Sequence, residues 1–174
     1  MNSSFAELEP NVEPLGPVSG FVDEFVEAVR LQPLFAGLSH DETARLSSYM
    51  ECYGVPTQSV VIREGDEGDF LAVLVTGRAM IVKEHDGVEK VMHEMRPGEM
   101  VGEMSLVDGQ KRFASCISIE PSDFAVLTNQ NLLLLLREHP DLGSKLLLML
   151  LRISTERLRR ATTANLPNFA TRSV

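Results

Sequence analysis

The stretch FLAVLVTGRAMIVKEHDGVEKVMHEM, residues 70–95, decides the fold. It holds three β-rich runs, Phe70–Thr76, Ala79–Glu84 and Glu89–Glu94, cut by Thr76-Gly77-Arg78 and Asp86-Gly87. Glycine takes turn conformations without steric penalty, so glycine pairs between β-rich runs read as tight reversals. Similar runs flank this stretch: Ser59–Arg63 before it, Ala114–Ile119 and Phe124–Leu127 after it. Glu64-Gly65-Asp66 and Pro97-Gly98 supply further turns. Short strands repeating at roughly 8–12 residues predict an antiparallel roll, barrel or sandwich.

Outward from the strands the period changes. Phe21, Phe25 and Val29 recur at helical spacing. Ser39 with Glu42 forms the signature of a capping box, starting a helix that runs to about Tyr49. On the other side, Thr128 is placed to cap a helix through Arg137, and Pro140 suits the first turn of a longer one reaching about Ala161. Helices, then strands, then helices make an α+β domain over residues 18–161. Residues 1–17, with Pro10, Pro14 and Pro17, are expected to be a flexible tail, and residues 162–174 a second one.

Charge and composition exclude several functions. The chain carries 25 acidic against 16 basic residues, a net charge of −9, whereas nucleic-acid binders present a basic stripe. The one basic run, Arg152, Arg157, Arg159 and Arg160 around Glu156, reads as a helix C-terminus meeting its dipole. The most apolar segment, Leu132 to Ile153, is broken by Arg137, Glu138, His139, Pro140 and Asp141, too soon to span a bilayer. Cys52 and Cys116 lack metal-ligand spacing and fit buried thiols of a reducing compartment. Met1 to Pro17 has neither the basic start nor the apolar run of a secretory signal, so a cytoplasmic location is expected. His40, His85, His93 and His139 are scattered, and no His-x-His pair followed by Glu offers a metal. Neither Ser105 nor Ser115 has a His and Asp at suggestive spacing, so no enzyme activity is expected.

One segment, residues 98–115, carries the chemistry. Gly102 opens a turn, and a short helix can begin at Glu103 with free N–H groups facing back into it. Arg112 follows at a distance that can return its guanidinium to the same spot, where it would grip a phosphate bidentately. Glu103 can accept hydrogen bonds from a sugar hydroxyl. An anion-binding element beside an acidic acceptor suits a phosphorylated sugar. From the residues alone, Glu103 and Arg112 fit an ordinary ion pair equally well.

From Leu31 to about Arg160 the chain resembles the cyclic-nucleotide-binding domain of catabolite activators, protein kinase A regulatory subunits and gated channels. Four elements match in order: Leu34-Phe35-Ala-Gly-Leu38; Glu64-Gly65-Asp66-Glu67-Gly68-Asp69 followed by Phe70 to Gly77; Gly98-x-x-Val101-Gly102-Glu103-x-Ser105-Leu106; and Arg112-x-Ala114. The resemblance implies an antiparallel β-roll, jelly-roll-like, with N-terminal helices and a long C-terminal helix. It implies cAMP or cGMP as ligand and no cofactor. Glu103 inherits the ribose 2′-hydroxyl and Arg112 the cyclic phosphate, with Gly102, Met104 and Ser105 as backbone donors and Ala114 as the small residue after the arginine. Phe113 departs from the pattern, where Ser, Thr or Ala usually sits. In catabolite activators a Thr-Ser pair of the long helix faces the base, and Ser154 and Thr155 resemble it.

Few residues follow the long helix, so the resemblance implies a stand-alone domain whose signal passes to an unknown effector protein or to oligomer state. Leu142, Leu146, Met149 and Ile153 form one apolar stripe on this helix, and Leu147, Leu151 and Leu158 a neighbouring one. Two stripes exceed what one roll covers, which makes a homodimer through this helix a candidate. Two rivals remain: a protein-interaction module with a degenerate pocket, favoured if Phe113 fills the hollow, and a cyclic dinucleotide sensor.

Overall fold

The computed structural model describes residues 12–30 and 32–165, so the expected tails over 1–11 and 166–174, and Leu31 where the resemblance begins, lie outside the described residues. Nine strands form two antiparallel sheets. Strands β1 (Glu13–Pro17), β2 (Glu51–Val55), β4 (Phe70–Thr76), β7 (Met100–Val101) and β9 (Ser122–Thr128) make one, in the order β1-β2-β9-β4-β7. Strands β3 (Val60–Ile62), β5 (Ala79–His85), β6 (Val88–Met95) and β8 (Ser115–Ser118) make the other, in the order β3-β8-β5-β6. Among the described residues there are five α-helices, α1 (Val22–Arg30), α2 (His40–Ser47), α3 (Glu103–Asp108), α4 (Asn129–Glu138) and α5 (Pro140–Asn165), and two short 3-10 helices, Val18–Phe21 and Pro33–Gly37. The fold is an antiparallel β-roll with N-terminal helices and a long C-terminal one.

The uninterrupted apolar run of β4 has a physical cause. Its register against β9 pairs Leu71 with Leu127 and Val73 with Ala125, and these four pack under the helices. The alternate pairs, Ala72 with Val126 and Leu74 with Phe124, fill the roll interior with Val61, Ile62, Met95 and Cys116. A strand buried on both faces needs apolar residues at every position. The helical core takes Phe25 and Val29 of α1, Leu46 of α2, Leu132 and Leu135 of α4, and Leu142, Leu146, Met149, Leu150 and Ile153 of α5.

The start signals act where they were read. The Ser39 hydroxyl accepts from the Glu42 N–H at 3.2 Å while the Glu42 carboxylate accepts from the Ser39 N–H at 2.9 Å, closing the capping box of α2. Thr128 caps α4 through the Asn131 N–H, and Pro140 opens α5. Two expectations are corrected. Residues 13–17, assigned to a flexible tail, form β1 against β2, with a bulge between Pro14 and Gly16. Proline is tolerated there because an edge strand needs donors on one side only. Helix α5 continues past Ala161 to Asn165, so part of the expected C-terminal tail is helical.

Candidate functional site

The insertion between β7 and β8 builds the site. Gly102 adopts the left-handed conformation, φ 83°, and turns the chain from β7 into α3. The loop after α3 is tied to the turn before β4: the Arg112 N–H donates to the Asp66 carbonyl at 2.8 Å, the Gly65 N–H to the Arg112 carbonyl at 2.9 Å, and the Glu64 N–H to the Ser115 hydroxyl at 2.9 Å. This tether aims the Arg112 side chain inward, between two glycines. A Cβ on Gly68 would stand 2.0 Å from Arg112 Nε, and one on Gly102 would stand 2.6 Å from Nη1.

Arg112 is 4% exposed. Its Nη1 donates to the carbonyls of Phe70, at 2.8 Å, and Gly102, at 3.0 Å, and its guanidinium carbon lies 4.2 Å above the Phe70 ring centroid. Burial pulls its pKa down to about 10, against the opposing pull of Asp69, Glu103 and Asp66. The group is a buried cation without full charge compensation, and a bound anion would favour its charged form.

Glu103 is fully buried. Its Oε1 pairs with Arg157 Nη1, reaching in from α5, and Arg157 Nη2 donates to the Met100 carbonyl at 2.7 Å. Glu103 and Arg112 therefore spend their bonds on different partners and do not form the simple ion pair that their residue types allowed. Among the described residues, the buried side-chain polar atoms left without a partner are Glu103 Oε2 and Arg112 Nη2. Leaving a buried polar group unpaired costs about 1–3 kcal/mol, more when it is charged. One orphan accepts and the other donates, so the pair suits a ligand that carries both a hydroxyl and an anionic oxygen.

The other expected residues fall into two groups. Ser105 is buried, Ala114 half-buried and Met104 exposed, all within or beside the cassette. Phe113 points outward, 51% exposed, with the Lys83 ammonium 4.6 Å from its ring centroid and 2.7 Å from its carbonyl oxygen. Ser154 and Thr155 lie apart from the cassette contacts, their hydroxyls donating back to Leu150 at 3.0 Å and Leu151 at 2.8 Å. Helix α5 meets the site through Arg157 instead, which the sequence had assigned to the helix dipole. The missed signal was positional: Leu142, Leu146, Leu150 and Ile153 are buried, and Arg157 continues that face one turn on.

A cleft of about 530 Å³ adjoins the site at Gly68 and Ser105; it is lined by residues 67–69, 105–111 and Asn129, but not by Gly102, Glu103 or Arg112. Glu67, Asp69 and Asp108 make its wall acidic, the wrong sign for a phosphate. Among the described residues no cluster of three His, Cys, Asp or Glu is placed to hold a metal, and no helix is long and apolar enough to cross a membrane.

The chain is similar to known proteins in sequence and in fold. The profile of the cyclic nucleotide-binding domain matches residues 53–139. The Cyclic AMP receptor protein of Thermus thermophilus is 32% identical over 130 residues, covering 74% of this chain and 58% of that protein. A cAMP-dependent protein kinase regulatory subunit from Aspergillus niger is 32% identical over 96 residues, 55% of this chain and 22% of that one. The crystal structure of a cyclic nucleotide-binding domain from Methylobacillus flagellatus superposes with a TM-score of 0.84 at 32% identity, covering 100% of both chains. The chain spans little more than half the length of the receptor-type relatives it matches, 58% and 55%.

Proposed function

The chain belongs to the cyclic nucleotide-binding domain family, and from that premise we propose that it is a non-catalytic receptor for cAMP or cGMP. The observation that carries this reading is the pair of buried, unpartnered atoms Arg112 Nη2 and Glu103 Oε2, on either side of the Gly102 turn. In the proposed complex Arg112 Nη2 donates to the cyclic phosphate and Glu103 Oε2 accepts from the ribose 2′-hydroxyl. Backbone N–H groups of Gly102, Met104, Ser105, Phe113 and Ala114 complete the cradle. Ser154 and Thr155 would meet the base only if α5 shifts, since both hydroxyls now serve their own helix.

The mechanism is a population shift: a ligand favours whichever arrangement of α5 it contacts better. Because Arg157 joins α5 to the cassette, occupancy of the cradle reaches that helix directly. The signal then passes to a cytoplasmic effector protein or to a second copy of the chain through α5. The outward ring of Phe113 supports the receptor reading over an interaction module whose pocket that ring would fill.

A thermal-shift panel of cAMP, cGMP, cyclic dinucleotides and AMP tests the assignment. A ligand at 100 times its Kd stabilises by about 2.7 kcal/mol, so a true ligand shifts the midpoint clearly. Calorimetry on Arg112→Leu should show affinity about ten- to a hundredfold weaker, the worth of a charged hydrogen bond. Unchanged affinity, or no shift with any mononucleotide, would falsify the reading.

A further inference from the structure

The acidic cleft beside the cassette takes no part in the phosphate or ribose contacts, yet it shares a wall with them. We propose that it is a second binding site, for a small organic dication of the linear diamine class, and that its occupancy tightens nucleotide binding in the cradle. The site itself does not depend on the receptor reading above; the coupling rests on it.

The walls set the ligand. Glu67 and Asp69 come from the turn before β4 and Asp108 from the end of α3, so carboxylates reach the cleft from two separate segments. Against the ammonium of Lys111 they leave two negative charges, and Leu106 and Val107 add apolar lining. Among the described residues no three His, Cys, Asp or Glu are placed to hold a metal, so the charges suit an extended cation and not a point ion. At about 530 Å³ the cleft has the size of small-molecule sites, roughly 300–1,000 Å³. Ser105 points to a ligand independently. It is 5% exposed and lines the cleft. Its hydroxyl opens to that space, unlike the sealed Oε2 of Glu103, and has no hydrogen-bond partner among the described residues. Buried hydroxyls are normally bonded, and this one can accept from an ammonium N–H.

The coupling follows from the shared wall. Gly68 lies between Glu67 and Asp69, and a Cβ there would stand 2.0 Å from Arg112 Nε. The same turn accepts the Arg112 N–H on the Asp66 carbonyl at 2.8 Å. Helix α3 begins with Glu103 of the cradle and ends with Asp108 of the cleft. A dication that draws the carboxylates together steadies both pieces that carry the nucleotide contacts. It also cancels negative charge that would repel the cyclic phosphate. The two ligands therefore favour each other, and by linkage each tightens the other by the same factor.

Calorimetry on the full chain at fixed ionic strength, with putrescine as the probe and no nucleotide, tests the site. Putrescine should bind at one saturable site, with butylamine and Mg²⁺ at least about tenfold weaker, the effect of losing one charged hydrogen bond. Equal affinity for all three means ordinary screening of a chain of net charge −9 and overturns the site, as does no binding of putrescine. Glu67→Gln combined with Asp108→Asn, at two exposed positions, should weaken putrescine by at least about tenfold. The asparagine keeps an acceptor for the Gln110 N–H, now 2.9 Å from Asp108 Oδ1. Ser105→Ala should weaken putrescine about three- to tenfold, the effect of a neutral hydrogen bond. Unchanged affinity in either variant overturns the placement. With putrescine saturating, the native chain should bind cAMP at least about fivefold more tightly, and the double variant should show no such gain. An affinity for cAMP that putrescine does not move overturns the coupling and leaves the site. A native chain that binds putrescine but no nucleotide overturns the receptor reading alone.

Discussion

Gly68 is the residue on which the phosphate contact turns most sharply. Its φ lies outside the left-handed region, so alanine fits its backbone, but the added methyl would stand 2.0 Å from Arg112 Nε. Gly68→Ala should therefore act by displacing the guanidinium. It should lower stability by about 1–3 kcal/mol, as overpacking does, and weaken nucleotide binding by at least about tenfold. Native affinity in calorimetry would mean that Arg112 does not hold the phosphate. Phe113→Ser makes the opposite case: it removes a surface cation–π contact worth about 0.5–1 kcal/mol and should leave affinity within about threefold. Which residues were legible follows from distance along the chain. Glu103 and Arg112 share one segment with the turn they serve, so their chemistry can be read locally. Arg157 meets Glu103 across 54 residues, and Gly68 matters only through a side chain arriving from another loop. Such contacts exist only once the strands have been ordered.

At the level of elements, the junctions that can be read are those whose mechanism lies within four residues. Thr128 is one. Its hydroxyl accepts from the Asn131 N–H at 3.2 Å, and the adjoining Asn129 N–H donates to the Asp69 carbonyl at 2.6 Å. This cap sits where the roll hands over to α4, beside the turn that carries Gly68. Thr128→Ala should lower stability by about 1 kcal/mol, the usual effect of losing a cap, as a shift in the urea midpoint at constant slope. No change would show that tertiary packing alone fixes the start of α4. Strand β1 is not legible in the sequence because prolines at positions 14 and 17 look like breakers, and only its pairing with β2 makes them acceptable. Strand β7 has two residues, too few for any period to show. The end of α5 is hard to read because Thr162 and Thr163 are polar and exposed, and no glycine marks the stop.

Across the whole molecule, α5 is the element whose two sides have different fates. Its 26 residues extend for roughly 39 Å, and one face is used up in the helical core by Leu142, Leu146, Met149, Leu150 and Ile153. On the other, Leu147, Leu148, Leu151 and Leu158 are all exposed. Leu151 and Leu158 stand seven positions apart, with Leu147 and Leu148 one turn before, the spacing at which helices pair knobs-into-holes. A twofold axis beside α5 would let the same stripe serve both copies, as an isologous contact requires. Sedimentation at tens of micromolar should show dimer for the native chain and monomer for Leu151→Lys, with the thermal midpoint little changed because the residue is already in water. Arg157 lies on the same helix and is bonded to the cassette, so a nucleotide that firms the cradle would also firm the leucine stripe through which copies would pair. The dimer constant should therefore tighten with saturating cAMP in the native chain and stay unmoved in Arg112→Leu. Equal dimerisation with and without nucleotide would uncouple α5 from the site, and a strictly monomeric native chain would send the signal to a different protein.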